Sequence, residues 1–328
     1  MKKYGIMVIL YNPDKNVFRN LKRYKETGWK IFVYDNTPAH CKRETTANMA
    51  DISREAFKET SRETFKKNFK KTFKETETDT LEKNTKYISK GNVTYVSAGK
   101  NNGMSAALTA GFQWALKERL DYLLTMDQDS IFTKRDIRRM TAYIEADTGQ
   151  DTAIYCPNYR KVYASETGAG ICTRPKIKVT QVRDTDFGMT SGSFVNVKRI
   201  GQCLPLDDLF IGLVDNDICY TLRRKGCRIQ MIGRAMLYQY IGEQTAGTWG
   251  NRIRHKIILS EKRYYYMGRN LTYLMKKYKD SRSIVRQLRR IRRRILLNLF
   301  LCEEQKSVRY QYWMKGVRES CPPFHNIG

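Results

Sequence analysis

The sequence predicts an α/β protein built around a mostly parallel central sheet. Short, continuous apolar runs alternate along the first half of the chain with segments that carry apolar residues on one helical face. Continuous apolar runs are typical of strands that are covered on both sides, and strands that alternate with helices favour parallel pairing. With 41% hydrophobic and 12% aromatic residues among 328, the composition supports a substantial core.

The predicted strands and helices follow one another in a regular order. The run from Tyr4 to Tyr11 predicts the first strand, which Asn12-Pro13 ends, and Asp14 can cap a helix that continues to about Glu26. The later segments continue this pattern, with strands at Trp29–Tyr34, Val93–Val96, Tyr122–Met126 and Ala153–Cys156 and with helices from about Ser105 and about Lys134.

The last quarter of the chain predicts a basic helical extension. Residues 251–328 hold 20 basic and 5 acidic side chains, and the chain is therefore divided into a first domain, 1–250, and an extension, 251–328. Helices are predicted at 257–278 and 283–302. The second helix combines arginines with an apolar block: Arg286, Arg289, Arg290, Arg292, Arg293 and Arg294, then Ile295, Leu296, Leu297, Leu299, Phe300 and Leu301. This pattern suits an anionic membrane surface, and equally a helix with a solvated basic face.

Residues 41–90 interrupt the strand and helix pattern with a low-complexity insertion. Four aromatic residues, Phe57, Phe65, Phe69 and Phe73, are spaced by multiples of four and would line one helical face. The segment is either a basic amphipathic helix that rests on a membrane or partner, or a tolerated insertion in a surface loop. The second interpretation is favoured.

The charge and cysteine content limit the classes of function. A net charge of +28 predicts an anionic partner, namely nucleic acid, an acidic membrane surface or a phosphorylated substrate. The eight cysteines form no C-x-x-C pair and only three histidines are present, which argues against a zinc site. Scattered cysteines without a signal peptide indicate reduced cytosolic thiols, and no apolar run approaches the ~18 residues that span a bilayer.

The segment Asp127-Gln128-Asp129-Ser130 places two carboxylates directly after a buried strand. Open α/β sheets bind ligands at the carboxyl ends of their strands, and paired carboxylates can hold a divalent cation and with it a phosphate. A simple turn would also use Asp and Ser. Three further polar clusters follow strands, in VILYNP, VYDNTP and GKNNGMSAAL, so all four are expected at one edge of the sheet, which favours a functional site.

These motifs, in this order, resemble the family 2 glycosyltransferases, whose nucleotide-sugar-binding domain has the GT-A fold. The resemblance is strongest to the rhamnosyltransferase-like branch. It continues through MTSGSFVNVKRIG at 189–201, LDDLFIGLVDNDICYTLRRKG at 206–226 and RYYYMGRN at 263–270, so it covers roughly residues 4–275 apart from the insertion.

The resemblance implies a role for particular residues on the donor side. Tyr11 and Asn12 would contact the nucleotide, and Asp35 would accept a hydrogen bond from N3–H of uracil or thymine. Asn101 and Gly103 would lie in the loop that passes the nucleoside, where glycine permits a close backbone approach. Asp127 and Asp129 would form the D-x-D pair, which in the family addresses the ribose and a Mg²⁺ or Mn²⁺ bound to the diphosphate.

The resemblance also implies where the sugar and the acceptor meet. Ser191, Gly192 and Ser193 would form the turn beneath the donor sugar and acceptor, and Asp215 and Asp217 match acidic positions that include the catalytic base. The spacing of Ile218 and Leu222 predicts a helix that begins near Asp215, whose dipole would tend to keep that acid ionised. 

Three positions depart from the family pattern. Close relatives often have an acid at Gly212, a histidine at Gln239 and an arginine near Thr221. That histidine is a plausible metal ligand, so these changes leave room for a weak or altered enzyme.

The resemblance therefore implies a metal-dependent, inverting glycosyltransferase of hexosyltransferase type. It would move a sugar, by resemblance rhamnose, from a nucleoside diphosphate to a growing surface polysaccharide. The acceptor would be a glycan or a lipid-linked glycan, with the protein cytoplasmic or peripheral at the inner face of the membrane. The alternatives are a catalytically impaired member that acts as a binding or scaffold subunit, and a basic nucleic-acid-binding protein, for which no recognised motif accompanies the charge.

Overall fold

The computed structural model describes residues 2–13, 15–41, 86–149, 151–164, 171–243 and 259–320. Within these residues the chain forms one sheet of eleven strands. The strands are β1 (Tyr4–Leu10), β2 (Lys30–Asp35), β3 (Lys86–Lys90), β4 (Val93–Ser97), β5 (Tyr122–Asp127), β6 (Ser130–Phe132), β7 (Thr152–Ala164), β8 (Ile171–Cys172), β9 (Val182–Asp184), β10 (Ser193–Asn196) and β11 (Arg228–Glu243).

The sheet has the order β3-β4-β2-β1-β5-β10-β7-β11-β6, with β8 beside β7 and β9 beside β11. Strands β4, β2, β1 and β5 are parallel, β10 runs antiparallel between β5 and β7, and β7 and β11 are parallel. The predicted α/β class is confirmed, and the parallel pairing is concentrated in the first half of the chain. Because Leu10 pairs with Asp35 and Ile9 pairs with Asp127, the polar strand ends meet at one edge, as predicted.

Helices cover both faces of this sheet. They are α1 (Lys15–Lys25), α2 (Gly103–Lys117), α3 (Lys134–Ala146), α4 (Val197–Gly201), α5 (Val214–Arg224), α6 (Glu261–Lys277), α7 (Arg282–Cys302) and α8 (Lys306–Arg318), and a 3-10 turn spans Ala39–Cys41. Alternate residues of β1 enter the two cores, since Met7 packs with α2, α5 and the C-terminal helices while Ile6 packs with α1 and α3. Burial on both faces explains why the strands are continuously apolar.

Each predicted strand and helix has an observed counterpart, but the strands β3, β6 and β8–β11 and the helices α4 and α8 were not predicted. The helix predicted from about Ser105 begins at Gly103, and the helices predicted from Lys134 and near Asp215 begin at Lys134 and Val214. Strand β3 falls inside the segment that the sequence assigns to an insertion, and it pairs antiparallel with β4. Its sequence, KYISK, is too polar to signal a strand. The rest of that insertion, including its four phenylalanines, lies outside the described residues.

The predicted helical extension is present and packs closely on itself. Helices α6 and α8 approach at two glycines: a Cβ on Gly268 would overlap the carbonyl of Trp313, and one on Gly316 would overlap that of Tyr265. Ser260 caps α6 by accepting a hydrogen bond from the backbone of Arg263 at 3.4 Å. Of the described helices, none combines the length and apolar composition needed to cross a bilayer.

Candidate functional site

The ends of β1 and β5 are joined by the side chain of Gln128. Its Oε1 accepts from the backbone N–H of Tyr11 at 2.8 Å, and its Nε2 donates to the Tyr11 carbonyl at 2.8 Å. Asn12 turns the chain with a positive φ of 45°, and its N–H donates to Thr37 Oγ1 at 2.8 Å. These bonds hold the Tyr11 ring, 47% exposed, above the edge of the sheet.

Asp35 closes the neighbouring strand and is almost completely buried. Its carboxylate accepts from the hydroxyl of Tyr95 at 2.5 Å and from the backbone N–H of Thr37 at 2.8 Å. Burial and the charge of Asp35 raise the pKa of Tyr95, which therefore stays a donor. The carboxylate is fixed in one orientation at the edge where the nucleotide is predicted.

The loop before α2 is held by asparagines. The side chain of Asn101 accepts from the Gly103 N–H at 2.9 Å, and Asn36 both donates to the Gly103 carbonyl and accepts from the Asn102 N–H, each at 3.1 Å. Gly103 has a φ of +82°, and a Cβ there would lie 2.6 Å from the carbonyl oxygen of Phe210. The glycine is therefore required for contact with the loop before α5, and its close approach to the nucleoside stays a prediction.

Three carboxylates gather where β5 ends. Asp127 is the last residue of β5, Asp129 lies in the turn to β6, and Asp215 lies in the first turn of α5. Burial and the negative charges of Asp129 and Asp215 raise the pKa of Asp127 to about 7. We call these three residues the strand-end cluster. Their mutual repulsion makes the position favourable for a cation or for a proton.

Asp215 is oriented by Thr190, whose hydroxyl donates to Asp215 Oδ1 at 2.8 Å. Burial raises the pKa of Asp215, and the hydrogen bonds from Thr190 offset part of the rise. The helix dipole was expected to favour the ionised form, and burial outweighs it. A carboxylate with a raised pKa is a stronger base than an exposed one, which suits proton removal.

The segment from Thr190 to Ser193 forms a tight turn beside this cluster. The Ser193 N–H donates to the Thr190 carbonyl at 3.0 Å, and Gly192 has a φ of +79°. A Cβ on Gly192 would lie within 2.9 Å of a side chain of β7, so glycine is needed here. Ser191 Oγ accepts from the Asp127 N–H at 3.2 Å, which fixes the turn against the end of β5.

Asp217 points away from the strand-end cluster into a second group of polar residues. Lys277 Nζ lies 2.7 Å from both Asp217 Oδ1 and Asp207 Oδ2. Tyr278 donates to Asp217 at 2.6 Å, and Tyr273 donates to Asp207 at 2.5 Å. We call these five residues the α6 network. It joins α5 to α6, so its geometry gives Asp217 a structural role, and a catalytic role for Asp217 stays a prediction.

The three departures from the family pattern have structural settings of their own. Gly212 has a φ of +81°, and a Cβ there would lie 2.9 Å from Met267 Cε, so an acidic side chain would be strained. Gln239 pairs with Ser130 across β11 and β6, directly beside the turn that carries Asp129. Thr221 Oγ1 lies 2.8 Å from the hydroxyl of Tyr278 and so extends the α6 network.

Asp127 and Asp129 of the strand-end cluster are the residues that would hold Mg²⁺ or Mn²⁺ together with a diphosphate. Mg²⁺ is usually bound by one or two carboxylates together with substrate phosphates and water, and Asp127 and Asp129 supply that number. Within the described ranges, no group of three or more His, Cys, Asp or Glu residues is arranged to hold a metal. A cation here would therefore take its other ligands from the donor.

Two contributors to the site were not assigned from the sequence. Arg263, in the first turn of α6, lies close enough to lower the pKa values of Asp127 and Asp129 against the effect of burial. Gln128 stands between the two acids and fixes Tyr11. The signal for Arg263 is its place at the start of RYYYMGRN, and nothing in the local sequence distinguishes Gln128 from an ordinary turn residue.

Residues 75–195 match the model of glycosyl transferase family 2. No curated protein matches the chain. Among solved structures, the crystal structure of GalNAc-T7 with UDP, GalNAc and Mn²⁺ is similar at 12% identity and a TM-score of 0.47. That similarity covers 97% of this chain and 57% of the other, so the chain spans little more than half of that relative. The family match, taken with the sheet and helices described above, confirms the predicted GT-A fold with its helical C-terminal extension.

Proposed function

We propose that this chain is a glycosyltransferase of the family 2 type, which moves a sugar from a nucleoside diphosphate to a hydroxyl of a growing surface glycan with inversion at the sugar carbon. The strand-end cluster carries the proposal. Three carboxylates from two elements meet beside a fixed turn, at the edge of the sheet, and two of them lie within the segment that matches the family.

The first strands are suited to bind the nucleoside. The exposed ring of Tyr11 offers a face on which a base can stack, and Asp35 offers a fixed acceptor for N3–H of uracil or thymine. A pyrimidine is therefore the expected base of the donor nucleotide. Rhamnose carried on dTDP, which the resemblance implies, is the first donor to test.

The diphosphate would lie between Asp129 and Arg263. Arg263 can donate to phosphate oxygens, and Asp127 and Asp129 would hold Mg²⁺ or Mn²⁺ on the opposite side. Such a cation offsets the charge that the leaving diphosphate develops. The two acids repel one another, so cation and donor are expected to bind together.

Asp215 is the proposed base. It takes the proton from the acceptor hydroxyl while the oxygen of that hydroxyl bonds to the sugar carbon, and the bond from that carbon to the diphosphate oxygen breaks. Attack opposite the leaving group inverts the carbon. Thr190 fixes the carboxylate, and the neighbouring turn, Ser191 to Ser193, would support the sugar and the acceptor.

A panel of nucleotide sugars tests the proposal. The nucleotide sugar that the chain prefers should raise its melting temperature, and more so with Mn²⁺, because ligands that bind only the folded state stabilise it. Transfer is then measured with that donor. Binding without transfer would support the scaffold alternative. A salt-sensitive gel shift without nucleotide-sugar binding would support nucleic-acid binding.

Helix α7 supports a peripheral membrane location. All its arginines are exposed: Arg282, Arg286, Arg289, Arg290, Arg292, Arg293 and Arg294. The same exposed side continues into Leu297, Phe300 and Leu301, which are 51%, 48% and 47% exposed. Cations beside exposed apolar side chains complement an anionic leaflet, which is where a lipid-linked acceptor would be found.

Vesicle binding tests this location. Changing Arg289, Arg290 and Arg293 to Gln should weaken binding to anionic vesicles, and the loss should be largest at low salt. The matched control changes Lys22, Arg23 and Lys25, which are exposed on α1 at the other face of the sheet. Equal losses in both triple variants would show a general effect of charge and no membrane-binding face.

A further inference from the structure

A cavity of about 280 Å³ lies between β7, β9, α7 and the tight turn at Thr190–Ser193, which we call the Ser191 turn. Three cationic side chains from three parts of the chain line it: Lys176, Arg183 on β9, and Arg294 on α7. Among the described residues that line it, none is a carboxylate. The cavity is therefore a concave, positively charged surface, opposite in sign to the strand-end cluster.

Within the part of the chain that the structure describes, no acid neutralises the three cations. None of them forms a salt bridge with another residue in the described ranges. Tyr159 and Arg294 line the same cavity. Burial raises the pKa of Tyr159, and the charge of Arg294 partly offsets that rise. The Thr185 hydroxyl donates to the Phe187 carbonyl and the Ser191 hydroxyl donates to Ser130 Oγ, each at 3.0 Å, so the three cations supply the donors to a ligand here. Cationic donors that converge in this way suit the oxygens of a phosphate.

The cavity adjoins the proposed reaction centre through one residue. Ser191 lines it and also accepts the hydrogen bond from the Asp127 N–H at 3.2 Å. The donor diphosphate is already assigned to Asp129 and Arg263, so a second anionic group is needed to complement these cations. Since the Ser191 turn is where donor sugar and acceptor would meet, that group belongs to the acceptor.

We propose that this cavity is a subsite for a phosphate or diphosphate of the acceptor. The proposal rests on the proposed function. From Arg294, helix α7 continues to the exposed Leu297, Phe300 and Leu301 within two turns. A lipid chain attached to a phosphate in the cavity would thus meet an apolar surface, which favours a lipid-linked phosphate over a free phosphorylated sugar.

The first test measures binding of inorganic pyrophosphate by calorimetry in the presence of EDTA, which removes metal from the donor site. The double variant Arg183→Gln/Arg294→Gln should bind about tenfold more weakly or worse, since each charged hydrogen bond typically contributes more than that factor. The control Arg174→Gln/Arg292→Gln removes the same charge from exposed neighbours outside the cavity and should change binding less than twofold. Absent binding by the unmodified chain, or equal losses in both variants, would overturn the proposal.

The second test measures transfer to three acceptors: a polyprenyl diphosphate sugar in neutral vesicles, a soluble sugar 1-phosphate and the same sugar without phosphate. In the double variant Arg183→Gln/Arg294→Gln, KM should rise for the phosphorylated acceptors alone, and KM for the donor should be unchanged. An equal response with the soluble phosphate would assign the subsite to free sugar phosphates. A rise in KM for the unphosphorylated sugar as well would contradict phosphate recognition. A different result is that the unmodified chain binds pyrophosphate without showing transfer, while the Arg183→Gln/Arg294→Gln variant loses that binding. This result would refute the proposed function and leave the phosphate subsite standing.

Discussion

The two groups of carboxylates in this molecule differ in what surrounds them. In the α6 network, Asp207 and Asp217 share Lys277, and two tyrosine hydroxyls complete their hydrogen bonds. In the strand-end cluster, Asp127, Asp129 and Asp215 form no salt bridge with another described residue. Hydrogen bonds to Ser191, Ser130 and Thr190 partly offset the rise in their pKa values, and Arg263 does so for Asp127 and Asp129.

The pKa shifts show how each group is balanced. Burial disfavours the charge of Lys277, but the carboxylates beside it outweigh burial and raise its pKa. Burial also raises the pKa of Asp217, although Lys277 and Tyr278 offset part of that rise. The contacts of 2.5–2.7 Å among these side chains show that the charges of the α6 network are paired. The pKa of Asp127 rises to about 7 because burial is joined by two like charges. A buried charge without a partner is costly, so an arrangement of this kind is more typical of a binding site than of a structural contact. Asp215 and Asp217, two residues apart, are therefore expected to respond differently to the same substitution.

Asp215→Asn should have the largest effect on transfer. Loss of the base should reduce the rate by about 10²- to 10⁴-fold while donor binding persists. Because the pKa of Asp215 is raised, its ionised form is disfavoured by folding above the unfolded pKa, so a neutral amide should leave the melting temperature unchanged or raise it. Transfer rates and thermal melts of the same preparation check both points. Full transfer activity in Asp215→Asn would show that Asp215 is not the catalytic base.

Asp129→Asn should have the next largest effect, on metal-dependent donor binding. Donor affinity in Mn²⁺ should fall roughly 10- to 100-fold, since one charged ligand is lost, and the benefit of Mn²⁺ should disappear. Calorimetric titration with and without Mn²⁺ measures this. Asp121→Asn, at the exposed opposite end of β5, is the control. Unchanged metal dependence would return the Asp127–Ser130 segment to an ordinary turn.

Asp217→Asn should act mainly on stability. Removal of one partner of a buried ion pair leaves Lys277 with only Asp207, and we expect a loss of about 1–3 kcal/mol in the free energy of unfolding. Below the melting transition, transfer should stay within tenfold of the unmodified chain. Urea unfolding and assays at low temperature separate the two effects. A large loss of rate with no loss of stability would make Asp217 the base and reverse the comparison.

Tyr273→Phe should have the smallest effect. The change removes one hydroxyl, which donates to Asp207 at 2.5 Å, and Lys277 continues to hold that carboxylate. A loss of about 0.5–1.5 kcal/mol in unfolding free energy is expected, with donor binding and transfer unchanged. A clear fall in activity would show that the α6 network also shapes the reaction centre.

The sequence predicted the sheet edge well because strand ends carry a local signal. The apolar runs before Asn12, Asp35 and Asp127 locate the ends of β1, β2 and β5, and parallel pairing then brings those ends together. Strand β3 was missed because an edge strand needs no apolar run. The two-residue spacing of Asp215 and Asp217 in a helix predicts that they point in different directions. Their partners, Thr190 and Lys277, could not be predicted because both are distant in the chain.

The structural role of Gly103 could not be predicted either, because it depends on a contact with a residue that is distant in the chain. A glycine in a loop before a helix is compatible with ligand approach and with close packing, and the contact with Phe210 shows the close packing, while approach to the nucleoside stays a prediction. Membrane association and the insertion remain predictions, the first because no contact tests it and the second because its residues lie outside the described ranges.

The side chain of Asn270 ties α6 to the first domain in a way that bears on how this protein can be divided. Its amide donates to the carbonyls of Leu209, Ile211 and Gly212 at 2.8, 3.0 and 2.9 Å, and these residues form the loop that leads into α5. A fragment that stops at residue 250 would leave those carbonyls without this partner, directly before Asp215. The helical extension is therefore not an interchangeable module, and chimaeras with related chains should keep α6 together with the loop it holds.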